Sequence, residues 1–453
     1  MNIIVMGCGK IGEEILSSLV AEGHDVTAID INEDVISDIT NNYDVMSVCG
    51  NGSDYAVLEE ANADKADMFI AVTSSDELNM LSCFIARKMG ASNTIARVRN
   101  REYNDRTLGF LRQNLGISMS INPERLAAQE MFDILKLPSA VKIDTFSSRN
   151  VQMIELRLKQ DSTFNGTTLT DFRAKCKSNV LVCAVQRGKE VFIPDGSFEL
   201  KGGDKIGITG TRIDILKMLK VSGVIQKQAK NVMIIGASKS ANYLAEMLIK
   251  IGTSVKIVEK DREICRNMCE RFPKAVVING DGAKQEILIE EGLDSVDAFV
   301  ALTGMDEQNI LISVSAMQKD VPKVITKINR HEYINIAETL GMDCIISPRD
   351  IVSNKIVRYA RALENSLGSN VETLYKLMDG NVEALEFNVK SDCKFLNIPL
   401  KDLQLGSNTI IAGIARGRKP ITPTGDDVFM AGDRVIVIAA ASRRLRDFSD
   451  IIK

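Results

Sequence analysis

The chain repeats itself. Gly7 answers Gly236 and Asp30 answers Glu259 at a spacing of 229, while Thr73, Asp76 and Asn79 answer Thr303, Asp306 and Asn309 at 230. Glu102 and Tyr103 answer Glu332 and Tyr333, again at 230. Gly188 against Gly417, and Gly203 and Asp204 against Gly432 and Asp433, carry the register into the later part of each half at 229. Chance does not hold one offset over so many points. The chain is a tandem duplication, and what one half folds into the other must fold into as well. With 453 residues it is also too long for one core.

The first part of each half alternates apolar runs with amphipathic ones. In the first half, residues 2–6, 25–30, 44–48, 68–72 and 94–98 read as short buried strands, separated by helical stretches such as 10–22 and 76–88. Strands alternating with helices predict parallel βαβ units, hence an α/β chain with two Rossmann-like, doubly wound parallel sheets. The later part changes character. Runs at 151–158, 180–186, 190–193 and 204–209 are strand-like, with Arg187-Gly188-Lys189, Pro194-Asp195-Gly196 and Gly202-Gly203-Asp204 as turns between them. The expected division is a nucleotide-binding lobe at 1–122, a connecting helix at 123–138, a small α+β lobe at 139–221 and a linker at 222–229. The second copy follows as 230–347, 348–368 and 369–453.

Composition removes several function classes. The charges nearly cancel, 56 Lys and Arg against 60 Asp and Glu, whereas a surface for nucleic acid shows as a basic excess. Arg443, Arg444 and Arg446 form a local basic cluster, read as a solvated helix end. No apolar run reaches the ~18–20 residues that span a bilayer. The chain opens on Asn2-Ile3-Ile4-Val5-Met6 and not on a basic segment followed by an apolar one. A soluble, cytoplasmic protein is expected. The nine Cys include no CxxC pair, and Cys265 and Cys269 lack further ligands nearby, so no metal site is expected. The two His, His24 and His331, sit in no catalytic constellation, and no catalytic residue is assigned.

The chemistry lies in the loops between strands and helices. Gly7-Cys8-Gly9-Lys10-Ile11-Gly12 follows a strand and opens a helix. The first glycine makes the tight turn, the second lets a pyrophosphate approach the backbone, and the third lets helix and strand pack closely. Free N–H groups at the helix start then attract the phosphates. Asp30 stands 18 residues after Gly12 and can accept from both ribose hydroxyls. Ile31-Asn32-Glu33 offers no cation for a 2′-phosphate, which favours NAD over NADP. Asn51, Thr73, Ser74 and Arg97 follow at the carboxyl edge of the predicted sheet, where open α/β folds bind ligands. The second copy reads Gly236-Ala237-Ser238-Lys239-Ser240-Ala241, with Glu259, Asp281, Thr303 and Lys327 at matching places. Ser238 adds a side chain where the pyrophosphate should come closest, and Lys260 and Arg262 follow Glu259.

Three stretches join the glycine loop and Asp30 in one pattern. They are Gly50-Asn51-Gly52-Ser53, Ala71-Val72-Thr73-Ser74-Ser75-Asp76-Glu77-Leu78-Asn79-Met80 and Ile95-Ala96-Arg97-Val98-Arg99. Together they resemble the nucleotide-binding lobe of RCK domains, the regulators of potassium conductance. The tandem arrangement, end to end, resembles the regulatory subunits of Trk-type potassium uptake systems. Ser238 and Ala241 depart from the pattern.

The resemblance implies a cytoplasmic homo-oligomer, a dimer or tetramer ring, with no pore of its own. It would lie on the inner face of the membrane beneath a potassium-translocating (TrkH-like) subunit. NAD(H), or ATP and ADP, would occupy the Rossmann-like lobes, and the small lobes would serve assembly or a second ligand. The segments after Ile121 and Ile346 are candidates for the moving connections. The rival reading, an NAD-dependent oxidoreductase, needs a proton donor near the nicotinamide. The small lobes offer no His and no Tyr-x-x-x-Lys pair. A transcriptional NADH sensor would need a DNA-binding module, and no segment is left over for one.

Overall fold

Runs of Ile, Val and Ala without polar alternation suit strands covered on both faces, as in a parallel sheet between helical layers. The computed structural model of the protein describes every residue except 104, 138–139, 147–150, 161, 222–227, 367–370, 418, 444, 446 and 453. In it the first lobe runs β1 (Asn2–Met6), α1 (Lys10–Ala21), β2 (Asp25–Asp30), α2 (Glu33–Asn42), β3 (Met46–Cys49), α3 (Tyr55–Glu60) and β4 (Met68–Ala71). It continues with α4 (Asp76–Met89), β5 (Thr94–Arg97), α5 (Asp105–Leu115) and β6 (Met119–Ile121). Six parallel strands lie in the order β3-β2-β1-β4-β5-β6. The sequence pattern suggests five; β6 is three residues long, too short for a periodicity to register.

The connecting helix α6 (Pro123–Lys136) is opened by the Asn122 side chain, which accepts from Arg125 N–H. The small lobe follows with β7 (Lys142–Thr145), β8 (Gln152–Arg157), β9 (Thr167–Thr168), α7 (Leu169–Cys176) and β10 (Val180–Arg187). It ends with β11 (Glu190–Phe192), β12 (Glu199–Leu200), β13 (Lys205–Gly210) and α8 (Arg212–Val221). Its main sheet is antiparallel, ordered β11-β10-β13-β8-β7. The linker expected at 222–229 falls mostly outside the described residues.

The second half repeats the plan. Its first lobe holds β14 (Asn231–Ile235), α9 (Lys239–Lys250), β15 (Ser254–Glu259), α10 (Arg262–Arg271), β16 (Val276–Asn279) and α11 (Gln285–Glu290). Then come β17 (Ala298–Ala301), α12 (Asp306–Gln318), β18 (Val324–Lys327), α13 (His331–Thr339), β19 (Ile345–Ile346) and the connecting helix α14 (Pro348–Ser366). The strand order, β16-β15-β14-β17-β18-β19, is that of the first lobe. The second small lobe has β20 (Val371–Leu377), β21 (Val382–Asn388), β22 (Thr409–Arg416), β23 (Lys419–Ile421) and β24 (Arg434–Ala440), ordered β20-β21-β24-β22-β23. The same five-strand order returns there. Short 3-10 turns at Leu400–Asp402 and Phe448–Ile451 stand where the first small lobe has α-helices.

The halves are not laid end to end. Helix α6 leaves its own lobe and packs on α9, with Ala127 and Ala128 sharing a core with Ala241, Leu244 and Ala245. Helix α14 returns the exchange by packing on α1, where Ile15, Leu16 and Leu19 share a core with Val352, Ile356 and Ala360. Arg361 on α14 also donates to Glu22 at 2.7 Å. The small lobes meet through Phe146, Met153 and Cys183 on one side and Leu377, Met378 and Ile436 on the other. Each half is therefore completed by a helix from the other. Truncating Ile356 to Ala empties a fully buried position at the α1–α14 seam, and urea unfolding should register a loss of roughly 2–5 kcal/mol. The same truncation at Ile213, two-thirds exposed on α8, should stay within about 0.5 kcal/mol.

Candidate nucleotide site

The turn after β1 carries three glycines, and sterics require two of them. Gly7 has φ +91°, and a Cβ there would stand 2.8 Å from the Thr73 nitrogen. At Gly12 a Cβ would lie 1.9 Å from the Gly7 carbonyl oxygen, so α1 meets the loop only because that atom is missing. Gly9 is different: its φ is an ordinary −66° and nothing lies within 4 Å of where its Cβ would be. The emptiness there is room for a ligand. Gly9 also occupies the N-cap of α1 without a side chain to cap it, which leaves the first N–H groups of the helix to whatever sits in front.

Asp30, at the end of β2, anchors this loop. Its carboxylate accepts from Cys8 N–H at 2.7 Å and from Asn32 N–H at 3.0 Å. A carboxylate offers about four acceptor positions, so capacity remains for a pair of ribose hydroxyls. Cys8 contributes only its backbone. Its thiol points inward toward Val5 O and Ile29 O, and burial, with Asp30 nearby, pushes it up to about 12. It is no nucleophile at neutral pH.

The stretch from Thr73 to Asn79 turns out to be a clamp. Asn79, fully buried, accepts from Thr73 N–H at 2.8 Å and from the Thr73 hydroxyl at 2.7 Å. Its amide donates to Thr73 O at 3.2 Å and to Arg97 O at 2.9 Å, tying the ends of β4 and β5 together. Asp76 adds a second tie by accepting from Arg99 N–H and Asn100 N–H at 2.8 and 2.6 Å. The second half repeats the clamp. Asn309 accepts from Thr303 N–H and hydroxyl at 2.9 and 2.7 Å and donates to Lys327 O at 3.0 Å. Asp306 accepts from Asn329 and Arg330 N–H at 3.0 Å each.

In front of the loop lies a cavity of about 1140 Å³, somewhat above the usual range for ligand pockets. Gly7, Gly9, Lys10, Ile11, Asp30, Asn51, Thr73, Ser74 and Arg97 line it from the first half, as the spacing suggests. Ser238, Lys239, Ser240 and Lys327, which the repeat would assign to a separate second pocket, line this same cleft from the opposite wall. Glu124, Arg330 and Arg349 join them. Sequence reasoning missed these three: Glu124 and Arg349 stand in the first turns of α6 and α14, Arg330 precedes α13, and no motif marks them. The Arg97 guanidinium donates to Thr73 O. Burial, then Arg99, lowers it to about 10, so it stays charged. Burial also lowers Lys327, opposed by Asp306 and Glu124.

The second glycine loop faces a smaller cavity of about 330 Å³, lined by Gly236, Ala237, Ser238, Glu259, Asp281 and Thr303. Glu259 copies Asp30 by accepting from Ala237 N–H at 2.8 Å and Asp261 N–H at 2.9 Å. The difference is Ser238. Its hydroxyl oxygen accepts from Ala241 N–H at 3.3 Å and caps α9, so that helix start is already partly satisfied.

Other expectations resolve simply. Arg443 donates to Ser407 O and Asp450 O and so is absorbed by its own lobe; Arg444 and Arg446 lie outside the described residues. Cys265 is buried and Cys269 exposed. Among the described residues no helix is long and apolar enough to cross a membrane.

The TrkA-N domain model matches residues 3–123 and 232–348, and the TrkA-C domain model matches 153–223 and 384–453. The chain is 32% identical over 439 residues to the Trk system potassium uptake protein TrkA homolog of Archaeoglobus fulgidus, covering 97% of each. It superposes on the GsuK RCK domain with a TM-score of 0.62 at 17% identity, over 97% of this chain and 92% of that one. The GsuK channel bound to NAD gives the same TM-score at 16% identity, over 97% of this chain and 77% of that one. At such identities the likeness speaks for the fold: Rossmann-like RCK units in tandem. Replacing Asn79 by Ala should strand the buried groups it serves, at roughly 1–3 kcal/mol for each one left unpaired. Thermal unfolding should fall accordingly, and Asn309→Ala should produce a drop of similar size.

Proposed function

The chain belongs to the TrkA family of potassium uptake proteins, and from that premise we propose that it is a nucleotide-sensing regulatory subunit of a potassium transport system. It gates a membrane potassium-translocating subunit through conformational change driven by NAD(H), ATP or ADP. The observation that carries this reading is the shared cleft, whose floor is the uncapped Gly9 loop and whose far wall belongs to the second half. A ligand that touches both lobes binds with a free energy that depends on how the lobes are set. Such a ligand therefore shifts the balance between arrangements of the lobes. Helices α6 and α14 carry that shift across, since each is rooted in one half and packed on the other.

In this reading the protein works as a homo-oligomer at the cytoplasmic face of the membrane, where a channel-like partner follows its shape. The Gly9 loop and the start of α1 hold the pyrophosphate, Asp30 holds a ribose, and Lys10, Arg97, Lys239 and Lys327 balance the phosphate charge. The smaller cavity at Glu259 is a divergent site whose helix start Ser238 has already capped, so the two sites answer nucleotides differently.

The variant Gly9→Ala separates binding from folding, because its methyl group meets no protein atom and its backbone angle is ordinary. Calorimetric titration with NADH and with ATP should show affinity at the first site weakened at least tenfold, with the melting temperature of the free protein within about 2 °C of the original. Unchanged affinity for both nucleotides would remove the site assignment. X-ray scattering with and without nucleotide tests the gating half of the proposal: identical profiles would sink it.

A further inference from the structure

The exchange of helices creates two corners where the lobes touch, and the repeat puts equivalent positions at each. At the first corner these positions hold Tyr243 on α9, Arg101 and Arg125, the third residue of α6. Arg101 stacks on the Tyr243 ring at 3.8 Å, and Arg125 pairs with Asp105 at 2.7 Å. At the second corner the same positions hold Glu14 on α1, His331 at the start of α13, and Asp350, the third residue of α14. A stacked, cationic contact in one corner is thus replaced in the other by an imidazole between two carboxylates.

The geometry of the second corner suits a metal ion. The His331 Nε2 stands 2.8 Å from Glu14 Oε2 and 3.2 Å from Asp350 Oδ1. One ligand atom from each of the three residues falls within 4.8 Å of the others. Ligand atoms about 2.0–2.2 Å from a tetrahedral ion stand about 3.3–3.6 Å apart, so admitting one requires Glu14 and the imidazole to separate by about half an ångström. Asp350 Oδ1 is shielded from solvent and faces the imidazole of His331. A shielded carboxylate oxygen calls for a positive charge in front of it, which either a protonated His331 or a metal ion that displaces that proton supplies. The group also opens on a cavity of about 500 Å³, which supplies a path from solvent.

We propose that Glu14, His331 and Asp350 bind one divalent transition-metal ion, with Zn²⁺ the best match, and that the ion pins the two nucleotide-binding lobes together. One imidazole with two carboxylates suits zinc and its first-row neighbours better than calcium or magnesium, which prefer all-oxygen sets. The three side chains leave a fourth position for water, and binding releases to solvent any proton held on His331 Nε2. Because Glu14 comes from the first lobe while His331 and Asp350 come from the second half, the ion bridges them. It is independent of the nucleotide cleft, which uses none of these three residues.

The test uses the intact chain, stripped with a chelator and carrying Cys49→Ser and Cys269→Ser so that exposed thiols do not compete. Titration with zinc chloride should show one tight site per chain and a rise in melting temperature of several degrees. Cobalt(II) chloride in its place should give the visible absorption of a four- or five-coordinate site. His331→Asn, at a side chain more than half exposed, should keep the circular dichroism spectrum and lose at least tenfold in zinc affinity. Asp350→Asn should do the same. No stoichiometric zinc uptake, or uptake that both variants retain, would overturn the proposal.

Discussion

The reciprocal exchange of α6 and α14 is the contact on which the rest of the molecule depends. Each connecting helix is amphipathic and covers much of its apolar face with the other half. Ala127, Ala128 and Met131 of α6, and Val352, Ile356 and Ala360 of α14, are buried in cores shared with the other half. Apolar burial of this kind contributes roughly 1.5–3 kcal/mol for each large side chain. Two such seams hold the lobes face to face. The main cleft, the corner at His331 and the meeting of the small lobes all follow from that placement.

The two halves kept different things after duplication. What they share is the backbone scaffold. The Asn79 and Asn309 clamps match within about a tenth of an ångström, and Asp30 and Glu259 hold their loops by the same pair of N–H groups. Most of these ties are half-buried, and losing one of those costs stability in either half. What diverged is the surface that would meet a ligand: Gly9 against Ser238, open cavity against capped helix. A scaffold is constrained by folding in both copies, whereas a binding surface is constrained only where it is used. That difference fits a sensor with unequal sites.

Much of this was legible in the residues. The parallel sheets follow from strand and helix alternation, and the loop chemistry from three glycines and a carboxylate at set distances. The pattern from Thr73 to Asn79 was visible as a motif, but its meaning was not. Thr73 and Ser74 read as a ligand edge and do line the cleft, while Asn79 and Asp76 spend their bonds on Thr73 and on backbone groups at the end of β5. Spacing alone does not distinguish a side chain that faces a ligand from one that holds the wall in place. Likewise His331 looked idle because its partners, Glu14 and Asp350, lie far off in the chain or on another helix.

The sequence by itself determined the duplication, the class of fold, and where the glycine loop and its anchoring carboxylate stand, because these depend on local periodicity and on the steric needs of single residues. Only the tertiary structure decided that the halves exchange helices. It alone moved Lys239, Ser240 and Lys327 from a second pocket to the far wall of the first, and it alone gathered Glu14, His331 and Asp350. The reason is physical. An offset in sequence says that two lobes are alike but carries no term for how their apolar faces are covered, and that choice is made by packing between segments hundreds of residues apart.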